Sequence, residues 1–226
     1  MHDNLCSRLA AHDACALSDA LDRLGLEGCV TGLIAALPGR RISGRARTVR
    51  LAAGPSPAGA PVRHLGAAVI DIARPGDIVV IEQPPGHDAG CWGGLLSRAA
   101  VLRGIAGIVA DGLVRDIDEI RELGLPVLCR GYTARTARGR VHEAATEEPV
   151  RICGITVEPG SYIVGDSSGV VFIRPADAER VLAAAAEIAA REGAMITRLE
   201  AGESASSVLG ASYEHMLNKD AEDGRR

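Results

Sequence analysis

IVVIEQPPGHDAGCWGGLLSRAAVLRGIAGIVADGLVRDIDEIRELGLPVLC, residues 78–129, sets the fold through the order of its turns and apolar runs. The turn Pro75-Gly76-Asp77 leads into Ile78-Val79-Val80-Ile81, an apolar run that predicts a buried strand. Residues 83–90 hold two prolines and two glycines and predict a loop. Residues 94–103 are apolar at 95, 96, 99, 100 and 102 and stop at Gly104, which predicts a helix. Residues 105–110 predict a strand, and Asp111-Gly112 a turn. Residues 117–123 predict a short helix with Ile117, Ile120 and Leu123 facing inward, stopped by Gly124 and Pro126. Residues 127–129 predict another strand. Strand, helix, strand, helix, strand with right-handed crossovers is a parallel βαβαβ unit, so the fold class is α/β.

The flanks extend this core. Residues 5–25 predict one helix, with Ser18 as a capping residue inside it and Gly25 as its stop. Residues 45–52 alternate apolar and polar and predict a strand. Residues 54–61, GPSPAGAP, predict a loop, and 64–73 a helix. Residues 150–173 predict a run of short strands. PGSYIV (159–164) echoes PGDIVV (75–80), as a repeat or as a shared turn-then-strand design. Residues 175–199 predict a long alanine-rich helix. The expected organisation is one domain over 1–217 and a disordered tail over 218–226.

Composition excludes several functions. The chain has 226 residues, 47% hydrophobic and 24% charged, ordinary values for a globular protein. Aromatics are 2%, too few for a surface that stacks single-stranded bases, and the net charge of −4 does not favour a polyanion. No nucleic-acid partner is expected. No apolar run approaches the ~18 residues of a membrane span, and the first 13 residues lack a secretory pattern, so the expectation is no membrane and a cytoplasmic location. Six cysteines, Cys6, Cys15, Cys29, Cys91, Cys129 and Cys153, form no Cys-x-x-Cys pair and read as reduced thiols. The histidines have no metal-ligand spacing, and only His87 is expected near a site. There is no Gly-x-Ser-x-Gly elbow, Walker A loop or Gly-x-Gly-x-x-Gly.

Three features between 90 and 119 carry chemistry. Gly93-Gly94 precedes a helix, either as a tight turn or as an opening onto free amides that bind carboxylate or phosphate. Arg115-Asp116 follows a strand, where open α/β sheets bind ligands. Arg115 can grip a carboxylate or keto oxygen, and Asp116 can hold a divalent cation. The alternative is an ion pair at a helix cap with Asp116 as N-cap. Glu119, three residues on, shares a face with Asp116, either to orient water or to complete a capping box.

Gly94, twenty residues, Arg115-Asp116, two residues and Glu119 form a G-x20-R-D-x2-E pattern. With SDALDRLG (18–25), WGGLLSRAAVLRGIAGIVADGLVRD (92–116), GLPVLCRG (124–131) and VEPGSYIVGDSSGVVFI (157–173), it resembles the RraA-like family. That family holds the class II pyruvate aldolases acting on 4-hydroxy-4-methyl-2-oxoglutarate, the regulator of ribonuclease activity A, and proteins misnamed demethylmenaquinone methyltransferases. The resemblance implies a layered β/β/α swivelling-domain sandwich with N- and C-terminal helices. It implies a lyase of short 2-oxo acids, by retro-aldol cleavage to pyruvate or by decarboxylation of oxaloacetate. The amides at Gly93, Gly94, Leu95 and Leu96 would take the substrate carboxylate. Arg115 would meet the keto oxygen, and Asp116 would ligate Mg²⁺ or Mn²⁺ largely through water. Glu119 would assist, and Glu192 would complete the site of a neighbour in a homotrimer or hexamer. Family aldolases often carry Asp or Glu at the position of Gly94, so this chain is expected to lack a carboxylate there. The rival implied by the resemblance is a non-catalytic regulator binding ribonuclease E, and a third option is a lyase recruited to a specialised pathway.

Overall fold

A single 12-residue strand, Ile42–Ala53, organises the architecture, because its two halves belong to different sheets. The computed structural model describes residues 4–59 and 64–210. In chain order its elements are α1 (Asn4–Leu9), α2 (Ala14–Leu24), β1 (Cys29–Val30), β2 (Ile34–Ala35), β3 (Ile42–Ala53), α3 (Ala67–Ile72), β4 (Ile78–Glu82), β5 (Gly90–Trp92), α4 (Gly94–Arg103), β6 (Gly107–Val114), α5 (Ile117–Leu123), β7 (Val127–Tyr132), β8 (Val141–Thr146), β9 (Val150–Ile152), β10 (Ile155–Val157), β11 (Tyr162–Gly165), β12 (Val170–Ile173), α6 (Ala178–Glu200) and α7 (Ala205–Val208).

The strand order is β1-β12-β11-β3-β4-β6-β7-β2, with β5 beside β6 and β8 beside β3. The first half of β3 pairs antiparallel with β11, and the second half pairs parallel with β4. Parallel pairing then runs through β6 to β7, which makes the expected βαβαβ unit real. Gly44 lies at the transition: a Cβ there would overlap the carbonyl oxygen of Gly76, so only glycine lets the strand pass so close.

Three apolar clusters separate the layers. Leu17, Leu21, Val181 and Ile188 pack α2 and α6 on the antiparallel part. Ile42, Ile78, Val80, Val109, Ile163 and Phe172 fill the space between the two parts of the sheet. Val79, Ile81, Trp92, Leu96, Ile108 and Ile120 join the parallel part to α3, α4 and α5. The result is the mixed α/β layered fold that the resemblance implied.

Several boundaries differ from the expectations. The helix over 5–25 is two helices, because the Asp13 carboxylate accepts the Ala16 N–H at 2.8 Å and starts α2 afresh. Asp111-Gly112 is not a turn but lies inside β6, and the buried three-residue β5 sits in what reads as loop. At the echo over 75–80 and 159–164, Gly76 and Gly160 both have positive φ and each precedes a strand. The tail expected over 218–226 lies outside the described residues.

Candidate active site

The segment joining β6 to α5 turns at Asp116, whose φ of 58° and ψ of 42° are left-handed, a conformation non-glycine residues seldom adopt. That turn decides where the carboxylate goes. As an N-cap it would accept from the first amides of α5, but it makes no such bond. Instead Oδ2 accepts the Gly94 N–H at 3.0 Å, at the start of α4, and Oδ1 accepts from Arg115 Nε at 3.2 Å. Glu119 likewise does not complete a capping box. Its carboxylate accepts from Arg98 at 3.0 Å and lies against Gly94. Neither carboxylate therefore caps α5, although Asp116 stands at its N-cap position and pairs with Arg115.

Glycines make the space. A Cβ on Gly93 would stand 2.9 Å from Arg115 Cγ and from Asp116 Oδ2, and one on Gly90 would press on the Arg115 stem at 3.0 Å. A Cβ on Gly94 would overlap the Glu119 carboxylate, 2.6 Å from its Cδ. This revises the expectation of a missing carboxylate. The volume next to residue 94 holds one, supplied by Glu119 from α5.

The cleft here, about 490 Å³, is lined by Arg115, Asp116, Ile117, Asp118, Glu119, Tyr132, Thr133 and Ala134. Tyr132 and Thr133 were not singled out from the sequence; the signal available was that β7 points its carboxyl end at the same edge as β6. Burial, the largest influence, pushes the Tyr132 phenol up, so it stays a protonated hydroxyl at neutral pH. The Leu95 and Leu96 amides find no acceptor among the described residues, whereas the Gly94 amide is occupied by Asp116. Of the amides named from the sequence, Gly94's is thus taken inside the protein, and those of Leu95 and Leu96 are not.

Asp116 could hold a metal in one manner only. Among the described residues no group of three or more His, Cys, Asp or Glu is placed to hold one. Yet the Asp116 side chain is 38% exposed, and each oxygen spends one lone pair inside the protein. That fits a Mg²⁺-type site with a single carboxylate and retained water, not an all-protein cage. Two expected residues lie elsewhere. Glu192 is on α6, in the layer built on α2, away from Asp116 of its own chain. His87 lines a different cleft, with Glu82, Asp111, Arg130 and Arg151, and its Nδ1 bonds the Pro85 carbonyl at 3.1 Å.

The family signature described as RraA-like, Aldolase/RraA, matches residues 14–172. This chain belongs to the RraA-like family. The protein DlpA of Legionella pneumophila is 33% identical over 170 residues, covering 75% of this chain and 27% of that protein. The 4-hydroxy-4-methyl-2-oxoglutarate aldolase of Thermus thermophilus is 26% identical, over 59% of this chain and 76% of the relative. Among solved structures, Streptomyces coelicolor RraAS2, described as an unusual member of the RNase ES inhibitor RraA family, aligns with a TM-score of 0.75 at 27% identity, covering 87% of this chain and 96% of that one. This RraA-like chain spans only about a quarter of DlpA and 59% of an uncharacterised Methanocaldococcus jannaschii relative. Among its described residues no helix is long and apolar enough to cross a membrane.

Proposed function

We propose that this RraA-like chain is a divalent-metal-dependent lyase of short 2-oxo acids, releasing pyruvate by retro-aldol cleavage of a 4-hydroxy-4-methyl-2-oxoglutarate-type substrate or decarboxylating oxaloacetate. One observation carries this reading: a left-handed Asp116 aims its half-exposed carboxylate at the start of α4 instead of capping its own helix. A strained backbone kept at the end of a parallel strand suits a site better than a cap. The aldolase name of the Thermus relative supports the reaction class.

The roles follow from the donors available. The Leu95 and Leu96 amides, at the positive end of α4, receive the substrate carboxylate. The Arg115 guanidinium, one of whose nitrogens is spent on Asp116, meets the keto oxygen as negative charge grows there. Asp116 would hold Mg²⁺ or Mn²⁺, and such an ion, when bound, would supply Lewis-acid stabilisation of the developing negative charge. Glu119 keeps a carboxylate beside Gly94, where it can orient water.

The assembly proposed is a homotrimer or hexamer. Leu95 and Leu102, seven residues apart on one face of α4, are 79% and 85% exposed, an apolar stripe that a second copy would cover. In this reading Glu192 of a neighbouring copy completes the site. A second reading, a protein-binding regulator of ribonuclease E, is supported by the likeness to the Streptomyces member of the RNase ES inhibitor RraA family.

Pyruvate release with Mg²⁺ or Mn²⁺, with chelator, and in Asp116→Asn tests the enzyme. Asparagine tolerates the left-handed backbone, so the variant removes charge without adding strain. Release should need the metal and fall at least about a hundredfold in the variant, in line with loss of a group that stabilises the transition state. Release indifferent to chelator and variant sinks the proposal, and ribonuclease E capture by an inactive wild type would favour the regulator.

A further inference from the structure

We infer that Trp92 and Ser97 are positioning residues that hold the two halves of the site in register; this rests on the proposed 2-oxo acid chemistry. Trp92 is the last residue of β5 and is buried, 1% exposed. Its indole Nε1–H donates to Ser97 Oγ at 2.9 Å, and the Ser97 hydroxyl donates to the Gly93 carbonyl oxygen at 3.0 Å. The same carbonyl accepts the Ser97 N–H at 3.0 Å, the first turn of α4. The Gly93–Gly94 peptide, which starts α4 just ahead of the Leu95 and Leu96 amides and whose N–H meets Asp116, is thus held by a buried relay as well as by the helix.

The main chain of Trp92 holds the other half. Its carbonyl oxygen accepts the Arg115 N–H at 3.0 Å. One residue therefore fixes the ligand-facing amides through its side chain and the arginine through its backbone. The ring has little freedom to yield. A Cβ on Gly66, a residue with φ of +77°, would lie 3.1 Å from Trp92 Cζ3, so the backbone at Gly66 closes on the indole. Trp92 also belongs to the cluster packed between the parallel strands and α3–α5. An apolar core needs no indole N–H for packing. The relay ends on the site, and that end is the physical reason to assign it a positioning role.

The amides contact the substrate carboxylate before and during bond cleavage alike, so misaligning them weakens binding without slowing the chemical step. Trp92→Phe keeps an aromatic ring in the clamp and removes the N–H. Ser97→Ala cuts the relay, and Ser97→Thr keeps the hydroxyl, which on a helix can still reach the i−4 carbonyl. Steady-state kinetics with Mg²⁺ should show KM up about tenfold in Trp92→Phe and Ser97→Ala, the scale of one hydrogen bond, with kcat within about twofold. Ser97→Thr should restore KM. Hydrogen exchange at 93–97 should quicken in the first two variants and not in the third, with circular dichroism confirming that all three are folded.

KM unchanged in Trp92→Phe, a fall in kcat alone, or a folded Ser97→Thr no better than Ser97→Ala would overturn the inference. If the wild type releases no pyruvate, the lyase reading fails by itself. Exchange at 93–97 then still decides the relay: quickening in Trp92→Phe upholds it, and no change rejects it.

Discussion

Gly94 and Glu119 occupy one volume, although 24 residues separate them in a chain whose pattern names only the glycine's position as acidic in aldolases. Gly94 is helical and its φ is not left-handed, so space and not conformation decides what fits there. An aspartate at 94 would have to expel the Glu119 carboxylate and break its pair with Arg98. Gly94→Asp should cost about 1–2 kcal/mol by overpacking, read from urea midpoints. In a Glu119→Ala background the same change should cost less, with a coupling of about 0.5–3 kcal/mol. Equal costs in both backgrounds would mean that the two positions do not share the site. Asp116 shows the same limit of local reading. Its spacing fits an N-cap, but the choice between α5 and α4 is made by a left-handed backbone that no neighbouring residue type announces.

At the scale of elements, β6 continues through Asp111-Gly112, with a bulge against β7 there, because both residues are held from outside the strand. Asp111 accepts from Arg130 Nε at 2.6 Å and from the Cys153 N–H at 2.6 Å. Gly112 makes room for Gln83, whose Oε1 accepts the Leu113 N–H at 2.8 Å. Asp-Gly is a turn signal only while nothing else claims those groups. β5 escapes the sequence for a similar reason: three residues, one of them glycine, carry no periodicity. The strands on either side of β6 also set thiol chemistry. Burial pushes the Cys129 thiol on β7 up to about 11, and it pushes Cys91 on β5 well above the ordinary range. Burial with Asp111 nearby raises Cys153 to about 11. A raised thiol pKa leaves little thiolate at pH 8. Iodoacetamide at pH 8 should therefore modify the exposed Cys15 and Cys29 in the native protein, and Cys91 and Cys129 only after denaturation. Peptide mass spectrometry reads this directly, and early labelling at Cys91 would contradict the packing of β5.

The packing of α2 on α6 supplies a test of the outer layer. Leu17 is fully buried there among Leu21, Val181 and Ile188. Leu17→Ala should cost about 2–5 kcal/mol, measured by denaturant unfolding, because the helices cannot close on the space left behind.

At the scale of the whole molecule, Leu95 and Leu102 stand exposed on one face of α4. Leu102→Glu puts a charge in an 85% exposed position, where it costs an isolated chain little. If copies associate through α4, the variant should lose oligomer mass in light scattering while keeping its circular dichroism. Unchanged mass would move the interface elsewhere.

Periodicity, glycine stops and motif spacing are local properties, and they were enough for the parallel βαβαβ centre, the α4 and α5 boundaries at Gly94–Arg103 and Ile117–Leu123, and the family. It took the folded chain to show that β3 serves two sheets, that Asp116 faces α4, and that Glu119 fills the space beside Gly94. Those outcomes depend on volume and hydrogen-bond partners brought together from distant parts of the chain. Residue spacing along one element cannot encode them.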